Sequence, residues 1–198
     1  MNMDPVNESS LSRVYQHNRL HDCGAMTAWR KAELCGTGRT YTHAENAQRN
    51  RSLLAKLKAR GYGVTTLHGR YPEGGHITTE ESYFIVDIED TGGLEQELQA
   101  LGAQFEQDSV LVIPKGAVEG KAKAFLLGTN HCAGNWIVAG AKEFFSHGKF
   151  GYDSKIYTSY VNGRPFIFEE VGEEVPSPGS GFGWWSLHLA ANKHWTEL

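Results

Sequence analysis

Cysteine is scarce in this chain, and its three residues, Cys23, Cys35 and Cys132, form an odd set at no framework spacing. A disulfide-stapled secreted scaffold is therefore not expected. Long apolar runs are missing too. None approaches the roughly 18 residues that cross a bilayer, and the N-terminus, MNMDPVNESS, has no basic-then-apolar signal pattern. The expected location is cytoplasmic, with no membrane partner. Positive charge is not in excess: 19 Lys and Arg stand against 23 Asp and Glu, a net charge of −4 over 198 residues. Nucleic acid is accordingly disfavoured as a partner. No internal repeat occurs, and no glycine-rich loop has P-loop or dinucleotide spacing, since Gly36-x-Gly38 lacks the third glycine. What is present is 40% apolar residues, enough for the core of one ordinary soluble domain, or of a domain with an appendage.

Residues 1–24 read as a polar N-terminal arm with a short amphipathic stretch from Ser9 to Leu20. Ala25-Met-Thr-Ala-Trp29 alternates weakly and leads into the turn-rich Cys35-Gly-Thr-Gly-Arg39, giving a first strand and a loop. The clearest local signal follows. Thr42 and Glu45 form a T-x-x-E capping box, Ala44, Ala47, Leu54 and Leu57 recur at helical spacing, and Gly61 stops the run, which predicts a helix over 43–60. Val64 to His68 reads as a short β-branched strand broken by Gly69 to Gly75. Tyr83-Phe-Ile-Val-Asp-Ile88 has the form of a strand covered on both faces. Leu94, Leu98 and Leu101 mark a second helix over about 93–101 with Gly102 as its stop, and Ser109-Val-Leu-Val-Ile113, closed by Pro114, is a further buried strand.

In order, these elements run strand, helix, strand, strand, helix, strand. That is an α+β chain with the β-α-β-β-α-β succession of a ferredoxin-like split βαβ sandwich over residues 25–114. Residues 115–171 form a C-terminal extension. In it Ala124 to Leu127 predicts a strand and Ile137 to Phe145 a helix, while Asn162-Gly163 between two β-rich runs predicts a β-hairpin over Lys155 to Glu169. Residues 172–198 hold a linker, GEEVPSPGSGFG, and an apolar tail about Trp184 and Trp185 that is expected to dock on the domain or on a partner.

The split βαβ topology brings the end of strand one, the start of helix one, the end of strand two and the starts of strands three and four to one rim. Gathered there are Trp29-Arg30, the loop from Arg39 to Asn46, His68-Gly-Arg70, Glu81-Ser82 and Gln107-Asp108, with the helix amides favouring an anion. Charge is uneven in the same region. From Arg39 to Arg70 there are seven Lys or Arg and one acid, whereas Tyr71 to Pro114 holds ten Asp or Glu and no Lys or Arg. Either the basic residues are the solvated face of helix one, or Arg39, Arg49 and Arg70 hold a phosphate or an acidic surface. The candidate ligand-binding residues are Arg39, Asn46, Arg49, Arg70, Ser82 and Gln107, and Glu81 and His68 are the candidates for general acid–base work.

Familiar motifs are incomplete. His76-x-Thr78 and His194-x-Thr196 echo the paired elements of two-histidine phosphoesterases, yet neither lies in a convincing apolar strand. His21-x-Cys23 and His131-Cys132 lack the spacing of a zinc site, so no metal and no cofactor are expected. His68-Gly-Arg70 lacks the downstream residues of an ADP-ribosyltransferase, the strand from Glu81 to Asp87 lacks the basic face of an RNA-recognition module, and no nucleophile elbow occurs.

Met-Thr-Ala-Trp29, Glu45-Asn-x-x-Arg-Asn50, Glu81-Ser-Tyr-Phe84 and Phe105-Glu-Gln-Asp-Ser-Val110 together resemble, over residues 26–112, a bacterial and phage family known only as a domain of unknown function. That family's pattern has Thr-Ala-Trp-Asn-Pro, a Glu-Asn helix start, Glu-Ser-Phe and Phe-Gly-Gln. This chain departs from it at Arg30-Lys31 and at Glu106, where the family has glycine. The resemblance implies a phage or mobile-element setting and favours Asn46, Arg49, Glu81, Ser82 and Gln107 as the site. Convergent polar groups without a recognisable nucleophile, base pair or metal set lead to the expectation of a small phage-encoded accessory protein. It would bind or inhibit a host protein, or sequester a small anionic, phosphate-bearing ligand, with Trp184 and Trp185 as a partner contact or a homo-oligomer interface. The alternatives are a nucleotide- or phosphoester-processing enzyme and a virion structural component.

Overall fold

A computed structural model of the chain describes residues 16–30, 39–73, 76–131, 137–144, 158–161 and 164–166, with backbone alone over 68–73, 76–80, 158–161 and 164–166. Its best-signalled element behaves as read. In helix α1, His43–Ala59, the Thr42 hydroxyl accepts from the Glu45 amide at 3.2 Å and the Glu45 carboxylate accepts from the Thr42 amide at 2.8 Å. These bonds from Thr42 hold the Glu45 carboxyl below the usual carboxylate range. Asn46, Asn50, Leu53 and Leu57 form the buried face, and the chain leaves through Gly61 at φ +84°.

Helix α2, Leu94–Gln104, buries Leu94, Leu98 and Leu101. The expected stop at Gly102 is corrected: the helix runs through this residue and ends at Gln104, with Phe105 as its C-cap. A Cβ on Gly102 would stand 2.6 Å from Thr129 Cγ2, so glycine is needed there for close approach rather than for termination.

The strands β1 Cys23–Met26, β2 Gly63–Glu73, β3 His76–Val86, β4 Ser109–Ile113, β5 Phe125–Gly128, β6 Lys142–Phe144, β7 Thr158–Val161 and β8 Arg164–Phe166 form one sheet in the order β6-β5-β4-β1-β3-β2-β7-β8. Every neighbouring pair is antiparallel. The chain is therefore α+β, and β1, only four residues long, sits between β3 and β4 with every residue buried. Alternation along the strands turns Met26, Tyr83, Ile85, Val110, Val112, Phe125 and Leu127 into one core with Leu53, Leu57, Leu94, Leu98 and Leu101 of the two helices. The intervening Phe84, Leu111 and Ile113 are also buried, which is why β3 and β4 read as continuous apolar runs.

Three expectations are revised. The break from Gly69 to Gly75 does not occur as read: β2 and β3 are eleven residues each and pair from Gly63↔Val86 to Glu73↔His76. Among the described residues, strand β7 pairs with β2 over His68–Arg70. The helix expected over Ile137 to Phe145 is absent among the described residues, where Gly140 turns the chain at φ +82° and Lys142–Phe144 pairs with β5. A short apolar run gives no periodicity strong enough to separate the two outcomes. The expected hairpin is present as β7 and β8, joined at Val161↔Arg164, with Asn162-Gly163 outside the described residues. The linker and the tail with Trp184 and Trp185 also lie outside them. Among the described residues no helix is long and apolar enough to cross a membrane.

Candidate functional site

The ladder of β1 ends at Met26↔Tyr83 on one side and Ala25↔Leu111 on the other, but the chain stays buried through Arg30. Buried backbone needs partners, and side chains supply them. Asn50 acts as a rung: its Oδ1 accepts from the Ala28 amide at 2.7 Å and its Nδ2 donates to the Glu81 carbonyl at 2.8 Å. The Thr27 hydroxyl donates to the same carbonyl at 2.8 Å. One turn earlier, Asn46 brackets Arg30, accepting from its amide at 2.9 Å and donating to its carbonyl at 3.0 Å. Arg49 Nε donates to the Ala28 carbonyl at 2.9 Å, and Gln107 Nε2 donates to the Trp29 carbonyl at 3.2 Å. Positions 46, 49 and 50 share a helix face by the i, i+3, i+4 rule, so one side of α1 grips residues 28–30.

Charge is paired inside this frame. The Arg30 guanidinium meets the Asp108 carboxylate at 3.1 Å with both side chains nearly fully buried, and it also donates to the Glu106 carbonyl. Asn130 donates to the same Asp108 oxygen. The Arg49 guanidinium reaches the Glu106 carboxylate at 3.1 Å and lies 3.9 Å from the centre of the Tyr41 ring, while the Tyr41 hydroxyl donates to Glu106 at 2.6 Å. Burial first, and then that bond to Glu106, push the Tyr41 hydroxyl above its ordinary pKa. Arg39 pairs with Glu45 at 2.8 Å and lies 5.3 Å from the Tyr41 ring. Trp29 meets His43 edge-on at 4.8 Å.

Two kinds of polar group remain unpaired. The hydroxyls of Ser82 and Ser109 and the Oε1 of Gln107 are buried without a hydrogen-bond partner. The Glu81 side chain is instead exposed, and among the described residues no hydrogen bond or ion pair engages its carboxylate. Tyr83 lies beside it in charge terms. Burial, and then the Glu81 charge, push the Tyr83 hydroxyl up to about 12.

Of the residues proposed from the sequence, Asn46, Arg49 and Gln107 hydrogen-bond residues 28–30, Glu81 meets Thr27 through its backbone carbonyl, Ser82 is fully buried next to it, and Arg39 stands at the start of α1. His68 and Arg70 lie in β2, with His68 directly opposite Glu81 in the ladder and Arg70 opposite Thr79. The reading missed Tyr41, Asn50 and the role of Glu106. The signal for Asn50 was present: it continues the Asn46, Leu53, Leu57 stripe, and an amide on a core face must bond something. Glu106 adopts φ +55°, which explains why glycine suits that place in the pattern the sequence resembles. Among the described residues no group of three or more His, Cys, Asp or Glu side chains is arranged to share a metal ion.

No curated protein matches the chain. A family profile does match, over residues 24–167, and its description is the S-adenosylmethionine lyase family. This overturns the expectation of an accessory protein acting by binding, inhibition or sequestration, because the family is one of enzymes; nothing in the match supports a phage setting. It also replaces the likeness to a family of unknown function with a named one whose span runs well past residue 112. The matched segment includes every strand of the sheet except the first residue of β1 and holds the whole frame around residues 27–30, and with 144 of 198 residues covered, the chain belongs to the S-adenosylmethionine lyase family.

Proposed function

We propose that this chain cleaves S-adenosylmethionine at the rim around residues 27–30, without water and without a protein nucleophile, on a ferredoxin-like core extended at both sheet edges. The central order β4-β1-β3-β2, antiparallel throughout, supports that reading of the core. The observation that carries the activity is the family match spanning the rim.

The substrate brings both reacting groups. Its sulfonium is a ready leaving group, and its own α-carboxylate is the nucleophile. A carboxylate oxygen attacks Cγ, the O–Cγ bond closes a five-membered ring, the Cγ–S bond breaks, and its electron pair stays on sulfur. The products are homoserine lactone and 5′-methylthioadenosine. No proton moves and no oxidant is needed, so the protein's task is to fold the substrate into the attacking geometry and to strip water from the carboxylate.

Charge decides where Glu81 is useful. The sulfonium loses its charge on the way to the transition state, so a protein carboxylate against sulfur would favour the ground state. The α-ammonium keeps its charge throughout. Glu81, exposed and unpaired in the segment 71–114 that carries ten acids and no Lys or Arg, is assigned to that ammonium. Asn46, Arg49, Asn50 and Gln107 fix the frame. Arg39, His68 and Arg70 are assigned to contacts away from the reacting atoms, and the fully buried Ser82 to the frame.

The test is incubation with S-adenosylmethionine in ¹⁸O-water, followed by mass spectrometry. Homoserine lactone and 5′-methylthioadenosine are expected, with any ¹⁸O entering only the carboxyl of lactone that opens later. Label in the γ-hydroxyl would mean hydrolysis and would sink the reading, as would substrate left intact at stoichiometric protein. Vinylglycine as the product would replace displacement by elimination, with a carboxylate as base. Glu81→Gln should raise KM roughly tenfold and leave kcat within about threefold.

A further inference from the structure

Glu106 occupies a backbone position that does not suit it. Its φ of +55° lies in the left-handed region, where glycine is at ease and where Asn and Asp are the side chains most often tolerated. The other non-glycine residue there among those described, Asp90, is of the tolerated type. Glycine at 106 would also keep the carbonyl that receives the Arg30 guanidinium. What glycine would lack is the carboxylate, one oxygen of which serves both partners: Oε2 accepts from the Tyr41 hydroxyl at 2.6 Å and pairs with Arg49 at 3.1 Å. Strain held against an easier alternative is a common mark of a functional position.

We infer that Glu106 is a positioning residue: its carboxylate clamps the Tyr41 ring onto the Arg49 guanidinium, and the clamped ring is the stacking surface for the purine of the bound nucleoside. This rests on the lyase reading above. Arg49 ties the stack to the site, because its Nε holds the Ala28 carbonyl and its NH2 donates to the Phe105 carbonyl. Tyr41 is half-buried, with part of its surface open to solvent; Arg49 and Arg39 lie 3.9 and 5.3 Å from its ring centre, and a purine stacks on the part of the ring they leave open. A purine contact made equally in the ground and transition states acts on KM and leaves kcat alone.

The test compares wild type, Glu106→Gly and Glu106→Gln in three measurements: calorimetric binding of 5′-methylthioadenosine, steady-state cleavage of S-adenosylmethionine, and amide hydrogen exchange of residues 39–42. In Glu106→Gly the nucleoside is expected to bind about tenfold more weakly, with KM raised about as much and kcat within about threefold. Exchange at 39–42 speeds up, although the melting temperature changes little because the backbone is relieved. Glu106→Gln keeps an oxygen for the Tyr41 hydroxyl and retains affinity within about threefold. Unchanged exchange at 39–42 in Glu106→Gly overturns the clamp, and unchanged nucleoside affinity overturns its role in binding. If wild type neither binds the nucleoside nor cleaves S-adenosylmethionine, the lyase reading fails and takes the purine role with it, while the exchange comparison still decides the clamp.

Discussion

Replacing Asn50 tests whether a side chain does stand in for a rung of the sheet. Asn50→Ala removes the acceptor for the Ala28 amide and one of two donors to the Glu81 carbonyl, which keeps the Thr27 hydroxyl. The exposed cost is therefore mostly the Ala28 N–H, left buried without a partner at about 1–3 kcal/mol. The emptied volume adds on the order of 1 kcal/mol. A total near 3 kcal/mol in a chain of this length lowers the melting temperature by roughly 6–12 °C. Urea unfolding should show the same loss at unchanged m-value. A loss below about 1 kcal/mol would refute the rung.

Asn50→Asp isolates the donor, since its shape is nearly unchanged. One carboxylate oxygen still accepts from Ala28, but the other faces the Glu81 carbonyl, acceptor against acceptor. The folded state then favours the neutral carboxyl and binds more protons than the unfolded chain, so stability falls as pH rises above the reference carboxylate pKa of about 3.9 and recovers on acidification. The deficit relative to wild type should thus be largest at neutral pH and shrink toward pH about 4. A deficit independent of pH would count against the geometry. The same variant should weaken cleavage of S-adenosylmethionine, because the Glu81 backbone loses a support.

Asp108→Ala leaves the Arg30 guanidinium buried without its carboxylate and should cost about 3–5 kcal/mol, whereas a paired Arg30→Met, Asp108→Leu change should recover much of that; equal losses in the two variants, read by urea unfolding, would contradict the pairing. Tyr83, pushed up to about 12, stays protonated in the fold after the unfolded chain has lost its proton, so stability should fall as pH rises from about 10 toward 12. Tyr83→Phe should show a shallower alkaline decline in denaturant titrations, and equal slopes would reject this. Burial also pushes the Cys23 thiol far up, so iodoacetamide should modify Cys23 only as the protein unfolds; peptide mapping that finds rapid native-state labelling would disprove its inertness.

Local chemistry made the first helix legible, since the Thr42–Glu45 box and Gly61 each act within a few residues. The buried strands β3 and β4 were legible for a similar reason: coverage on both faces leaves an unbroken apolar run. What the sequence hid was decided by partners distant along the chain. Gly102 looks like a stop until Thr129 packs against it, and the glycines from Gly69 onward look like a break until β3 is seen to pair with β2 out to Glu73↔His76. The edge strand Lys142–Phe144 has no intrinsic signal and exists because β5 offers an unpaired edge.

Asn46, Arg49 and Gln107, singled out from the sequence, do meet residues 28–30 in the fold, but what they do there was not legible, and the charge pattern explains why. The basic run from Arg39 to Arg70 invites an anion, yet Arg49 spends its donors on the Ala28 and Phe105 carbonyls and on Glu106, and Arg30 turns inward to Asp108. The acid-rich half holds Glu81, exposed and without a partner among the described residues, which under the reaction proposed above suits the cationic ammonium of the substrate. Motif searching failed for a deeper reason. Catalytic motifs mark enzymes that supply a nucleophile, a base or a metal. Under the displacement proposed here the substrate carries nucleophile and leaving group together, and the protein contributes geometry and dryness. Residues that do such work, amides holding a strand end and a strained Glu pinning an aromatic ring, resemble ordinary structural residues. Their absence from any motif therefore weighs nothing against catalysis, and mutational effects divided between KM and kcat are what separates them from the core.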